Sequence, residues 1–171
     1  MLICQDLNKR LNDNERLFLF EQLKENPQLI SDCLSFAVQE DKFENFIPFW
    51  HLDHFFYAHD ELFLLWMDKW IELLLQVEYS GCKRSLLRVI VKKKRLFTEE
   101  QEGFLIDFAI RHLENRFEAI AVHAHSMKLL CQLVPKYPEI GPHIKLLVEE
   151  DFNNRSKGYQ SIGRKLLKLL K

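Results

Sequence analysis

The chain has 171 residues, of which 47% are hydrophobic, and its 14 Phe and 3 Trp supply enough apolar side chain for one continuous core, so a single domain over residues 1–171 is expected. Five Gly and five Pro are too few turn-formers for an all-β sandwich, which leaves helices joined by short loops. Net charge is −1, but residues 1–79 carry 6 Lys+Arg against 15 Asp+Glu and residues 80–171 carry 18 against 10. This division into −9 and +8 fits an anionic partner for the second half, head-to-tail association between copies, or solvated helix faces.

Cys4, Cys33, Cys82 and Cys131 stand alone, without a CxxC pair or zinc-ligand spacing, and read as reduced core residues. The segment MLICQDLNKRLND reaches charge too early for a signal peptide, and no run approaches the length of a membrane span. A soluble cytoplasmic protein with no membrane partner is the expectation.

In chain order, NERLFLFEQLKE (14–25) places Leu17, Phe18 and Leu23, flanked by Phe20, near one side of a helix that Asn26-Pro27 ends. A second helix starts at Pro27 and sets Ile30, Cys33, Leu34, Ala37 and Val38 at helical spacing before the charged break Glu40-Asp41-Lys42. FENFIPFWHLDHFFY (43–57) is aromatic almost all round, as in a helix buried between neighbours, and Pro48 suggests that its regular part begins near Ile47. ELFLLWMDKWIELLLQVEY reads as one long, largely buried helix, apolar at Leu62, Leu65, Trp66, Ile71, Leu73 and Leu74. After Ser80-Gly81, CKRSLLRVIVKKK turns Leu86, Leu87, Val89 and Ile90 inward and leaves Lys83, Arg84, Arg88 and Lys92 to Arg95 outward. Thr98 with Gln101 forms a capping box that opens a helix running to Asn115. Helices over 118–134, 138–151 and 156–171 bring the expected number to nine.

FIPFWHLD (46–53), KRSLLRVI (83–90), HAHSMKLL (123–130) and QSIGRKLL (160–167) recur at offsets of 37, 40 and 37 residues. Each block has Leu or Val at one position (Leu52, Val89, Leu129, Leu166), preceded by a cation or His (His51, Arg88, Lys128, Lys165). A period of about 40 with two helices per unit is that of stacked helical repeats, in which neighbours bury a core that no single unit could bury. Ala121-Val122-His123-Ala124-His125-Ser126-Met127-Lys128-Leu129-Leu130 resembles the second helix of a HEAT repeat, with His123 where such units often carry Arg. The order of an aromatic helix, a basic CKRSLLRVI and a terminal GRKLLKLLK is similar to that of HEAT-like proteins of unassigned function found widely in bacteria. The resemblance implies an all-α, right-handed α-α superhelix of about four HEAT-like helical pairs.

Chemistry has little foothold. His51, Asp53, His54, His59 and Asp60 cluster, and residues 51 and 54 could share a helix face, but no third ligand stands at a dictated spacing and no metal is expected. His123 and His125 point about 200° apart on a helix and do not chelate one ion. Ser85, Ser126 and the cysteines lack a nucleophile elbow or an adjacent base, and the isolated glycines form no phosphate loop, so neither a catalytic residue nor a cofactor is expected.

What remains is charge. Lys83, Arg84, Arg88, His123, Lys128, Arg164 and Lys165 are the candidate partner-binding residues, with Arg88, Lys128 and Lys165 forming a column if equivalent helices stack. The plainer reading is that Lys and Arg stems cover apolar seams and their heads are solvated. A scaffold binding a protein or peptide on a concave face of second helices is the first expectation. The second is nucleic acid bound by the basic column. Trp50, Asp53 and Arg88 are the residues that can be matched to the Trp, Asp and Arg of the DNA alkylation repair glycosylases, which the chain resembles more distantly.

Overall fold

The computed structural model describes residues 7, 9–39, 43–150 and 152–170. Ten α-helices and no strand occur among them: α1 (Asp13–Glu25), α2 (Pro27–Gln39), α3 (Phe43–Ala58), α4 (Asp60–Leu64), α5 (Met67–Gln76), α6 (Ser80–Lys93), α7 (Glu99–Glu114), α8 (Ile120–Leu133), α9 (Gly141–Glu149) and α10 (Lys157–Leu169). Two compact units result, residues 1–89 and 90–171, with the division falling within α6. The expected break at Glu40 to Lys42, and Cys4, lie outside the described residues.

In residues 1–89, α1 opens with a reciprocal capping box. The Asn12 side chain accepts from the Glu15 N–H, and the Glu15 carboxylate accepts from the Asn12 N–H at 2.9 Å, so two amides that the first turn leaves unpaired are satisfied. Leu19 and Leu23 face inward, while Leu17 and Phe18, expected on the buried side, are exposed. The inward stripe follows the i, i+4 pair 19/23, and Phe20 beside it meets Phe55 edge-on at 5.4 Å. The α3 helix starts at Phe43, before the expected Ile47, and runs through a buried Pro48. The long helix expected from residue 61 is two: Trp66 leaves helical geometry at φ −119° and its N–H reaches the Phe63 carbonyl in a tighter turn at 2.9 Å. Leu65, expected on the apolar side, is exposed, whereas Leu73 and Leu74 are buried as expected.

The α4–α5 break leaves Trp70 at the centre of this unit. Its ring stacks on Phe49 at 5.0 Å and meets Phe56 edge-on at 5.2 Å. Its indole N–H donates to the Leu86 carbonyl of α6 at 3.1 Å, a polar tip satisfied inside an aromatic core.

In residues 90–171, α7 packs on α8 and α9, and α8 packs on α10, so first helices meet first helices and second meet second, as in stacked pairs. The Thr98 and Gln101 capping box forms as expected. His123 is buried, and its Nε2–H donates to the carbonyls of His112 and Asn115 at 2.9 and 3.0 Å, capping the C-terminus of α7. Lys93, expected outward, is buried. Glu102 is buried and accepts from Lys136 at 2.6 Å and Tyr137 at 2.8 Å, with Lys94 at 3.3 Å. Burial would raise its carboxyl, but these three donors outweigh burial and hold it below the usual carboxylate range. They thereby tie α7 to the turn before it, through Lys94, and to the turn that follows α8, through Lys136 and Tyr137.

Two glycines inside helices separate by packing. A Cβ on Gly163 would stand 2.9 Å from the Phe152 ring and 3.2 Å from Val148, so α10 approaches its neighbours only because that position is bare, whereas a Cβ on Gly103 meets nothing within 4 Å. Gly103→Ala should therefore raise stability by roughly 0.5–1 kcal/mol through helix propensity. Gly163→Val should lower it by about 1–3 kcal/mol through overpacking. Urea denaturation of both variants checks the opposite signs.

Candidate functional site

The strongest constellation belongs to residues 1–89. On α3, Phe46, Trp50, His54 and Tyr57 recur at intervals of four, four and three residues and so share one helix face. On α6, Arg84 and Arg88 are one turn apart and reach that face. The Arg88 guanidinium lies 4.3 Å from the Tyr57 ring centroid, and that of Arg84 lies 5.7 Å from Phe46, both within cation–π range. Trp50 is half-buried and meets His54 edge-on at 4.5 Å.

Asp53 lies beneath this face, 1% exposed, ion-paired to Arg88, whose side chain remains 31% exposed. Burial pushes the Asp53 carboxyl up to about 6, while Arg88, the adjoining Ser85 hydroxyl and Arg84 oppose the rise. His54 moves the other way, down to about 4, because burial and the cations Arg88, Arg16 and Arg84 disfavour a further positive charge. The consequence is a face with permanent guanidinium charge, neutral imidazole and a buried counter-ion that is anionic above about pH 6. Such a surface offers fork-shaped donors to carboxylates or phosphates and flat π surfaces to their neighbours.

The remaining candidates fall elsewhere. Lys83 is half-buried on α6. In residues 90–171, Lys128 on α8 and Arg164 and Lys165 on α10 are exposed. Burial pushes the Cys131 thiol up, and the positive charge of Lys165 partly offsets this. His123, committed to capping α7, is too buried to meet a partner. Of the possible metal ligands, His51 Nε2–H donates to the Lys9 carbonyl at 3.0 Å and His59 Nδ1–H to the Phe55 carbonyl at 2.8 Å. Among the described residues no three His, Cys, Asp or Glu converge on a point that could hold an ion.

Asp53 and His54 make opposite contributions to stability with pH. The raised Asp53 contributes stability that is complete below its ordinary 3.8 and lost as pH rises through about 6, a change of about 3 kcal/mol. The depressed His54 contributes stability that is complete above its ordinary 6.5 and lost as pH falls toward about 4. Between these limits the two contributions oppose each other. Asp53→Asn should make stability climb more steeply with pH over this window, and His54→Asn should make it climb less, as urea midpoints across the window would report.

Comparison with protein families matches residues 3–170 to a HEAT repeat domain. Neither curated proteins nor solved structures give a significant match. The family match spans nearly all of a chain whose described regular structure is all helical and whose equivalent positions Leu52, Val89, Leu129 and Leu166 are all fully buried. The chain belongs to the HEAT repeat family as an all-α solenoid of helical repeats.

Proposed function

We propose that this chain is a non-enzymatic HEAT-repeat scaffold that binds an acidic protein or peptide segment on the face formed by α3 and α6. HEAT repeats build surfaces from equivalent helices, so function resides in whichever side chains the repeats present. The observation carrying the reading is Arg88: its guanidinium is fixed between the buried Asp53 carboxylate and the Tyr57 ring, yet about a third of the side chain faces solvent. A guanidinium ordered before binding loses less entropy when it takes a carboxylate, which favours Arg88 over a freely rotating surface lysine. Arg84 sets a second guanidinium against an aromatic ring, that of Phe46, one helical turn away. Trp50 and Tyr57 add aromatic area of the kind found at binding hot spots.

A nucleic-acid reading has its own support in the exposed Lys128, Lys165 and Arg164 of residues 90–171, and in the pairing of Arg88 with Asp53, which shares α3 with Trp50. Phosphate neutralisation by such a set makes affinity fall steeply with salt and pays little attention to sequence.

Binding to an immobilised random peptide array separates the two. Enrichment for peptides with paired Asp or Glu near an aromatic residue, reduced roughly tenfold or more by Arg84→Glu with Arg88→Glu, is the expected result. Lys128→Ala with Lys165→Ala should leave it unchanged. Retention of duplex DNA at low salt that drops in Arg88→Ala and Lys128→Ala, with no peptide enrichment, would overturn the proposal in favour of nucleic acid.

A further inference from the structure

The turn between α7 and α8 in residues 90–171 presents Phe117 with 99% of its surface exposed and Ile120 with 56%. An exposed phenylalanine on a loose loop would mean little, but this turn is braced from several directions. The Phe117 N–H donates to the Asn115 side-chain oxygen at 3.1 Å, and the Glu118 N–H to the Asn115 carbonyl at 3.1 Å. Arg155 donates to the Arg116 carbonyl at 2.9 Å, and the Arg116 side chain is ion-paired to Glu150. From beneath, His123 holds the Asn115 carbonyl. The ring is thus a projecting anchor whose backbone is ordered before any contact, the property that makes one aromatic residue effective in binding.

Residues 1–89 contain a hollow of about 480 Å³, lined by Leu7, Leu11, Phe18 and Leu19, with Asn14 and the Lys9–Glu15 ion pair at its side. Its size is within the range of pockets that enclose small apolar groups. Phe18 at 59% and Leu17 at 65% exposure extend apolar surface along the same helix. The net charges of the two units favour the pairing of one with the other. Residues 1–89 hold 9 Lys+Arg against 15 Asp+Glu, net −6, and residues 90–171 hold 15 against 10, net +5. A contact of hollow on hollow or turn on turn would set like-charged units together, whereas hollow against turn sets opposite charges together.

We propose that copies of this chain associate head to tail, Phe117 of one copy seating in the hollow beside Phe18 of the next. The contact is heterologous, so each pair keeps one free hollow on one copy and one free turn on the other, where further copies can add. A single aromatic anchor and its surroundings make a small interface, so the association is weak, concentration-dependent and loosened by salt.

Sedimentation velocity over a concentration series tests this. Both residues are exposed, so Phe117→Ser and Phe18→Glu should leave far-UV circular dichroism and melting unchanged. The wild-type sedimentation coefficient should rise with concentration, and each variant alone should remain monomeric, its association weakened roughly tenfold or more. An equimolar mixture of the two variants should form dimers and nothing larger, because only the intact Phe117 of one can meet the intact hollow of the other. Wild-type chains that stay monomeric at the highest soluble concentration, or a variant that associates as wild type does, or a mixture that fails to pair, would each overturn the proposal. None of these outcomes bears on Arg84 and Arg88, so the acidic-peptide reading stands or falls separately.

Discussion

The hydrogen bond from the Trp70 indole to the Leu86 carbonyl is the constraint on which the candidate face depends. Trp70 is stacked on Phe49 of α3, and its N–H reaches α6, so one side chain from α5 sets the spacing of the two helices that build the face. The satisfied indole lets a large polar-tipped ring occupy the core without the penalty of an unpaired buried donor. With α3 and α6 so placed, Asp53 and Arg88, which are 35 residues apart, form an ion pair at the edge of the aromatic core.

That pair illustrates the difference between holding a fold together and preparing a surface. Burying Asp53 is unfavourable for its charged form, as its raised titration shows, so the carboxylate reduces stability at neutral pH relative to its protonated form. What the arrangement secures is orientation: Arg88 is fixed in one direction, with Tyr57 on its flank. In residues 90–171 the corresponding investment goes into structure. Glu102 gathers three donors around one carboxylate, and His123 closes the C-terminus of α7, leaving Lys128, Arg164 and Lys165 as solvated charges.

The repeat was legible in the sequence because its signals are local and periodic. Leu52, Val89, Leu129 and Leu166 could be aligned by spacing alone, and all are fully buried. Thr98 and Gln101 announce their capping box within four residues, and Asn12 with Glu15 carries the same signal, which an eye on Ser and Thr passes over. Tertiary geometry was harder. The division at Trp66 has no proline or glycine to mark it, and the outward turn of Leu17 and Phe18 depends on which stripe of α1 meets its neighbours. The residues Trp50, Asp53 and Arg88 were legible as types, and the structure joins the latter two; the stripe Phe46, Trp50, His54, Tyr57 was visible in its spacing but looked like undivided core. His123 stood out as a repeat-equivalent polar residue, and its role as a cap could emerge only with the α7 carbonyls in place.

The acidic-partner reading requires that Arg88 be held in place before any partner arrives. Nitrogen-detected NMR of the arginine side chains measures this directly, since a fixed guanidinium gives separate, slowly exchanging Nη signals and a freely rotating one gives a single average. Above about pH 6, where Asp53 is anionic, Arg88 should show resolved Nη signals that merge as the pH falls and Asp53 takes up a proton. A single averaged Arg88 signal at every pH, indistinguishable from that of the exposed Arg164, would contradict it.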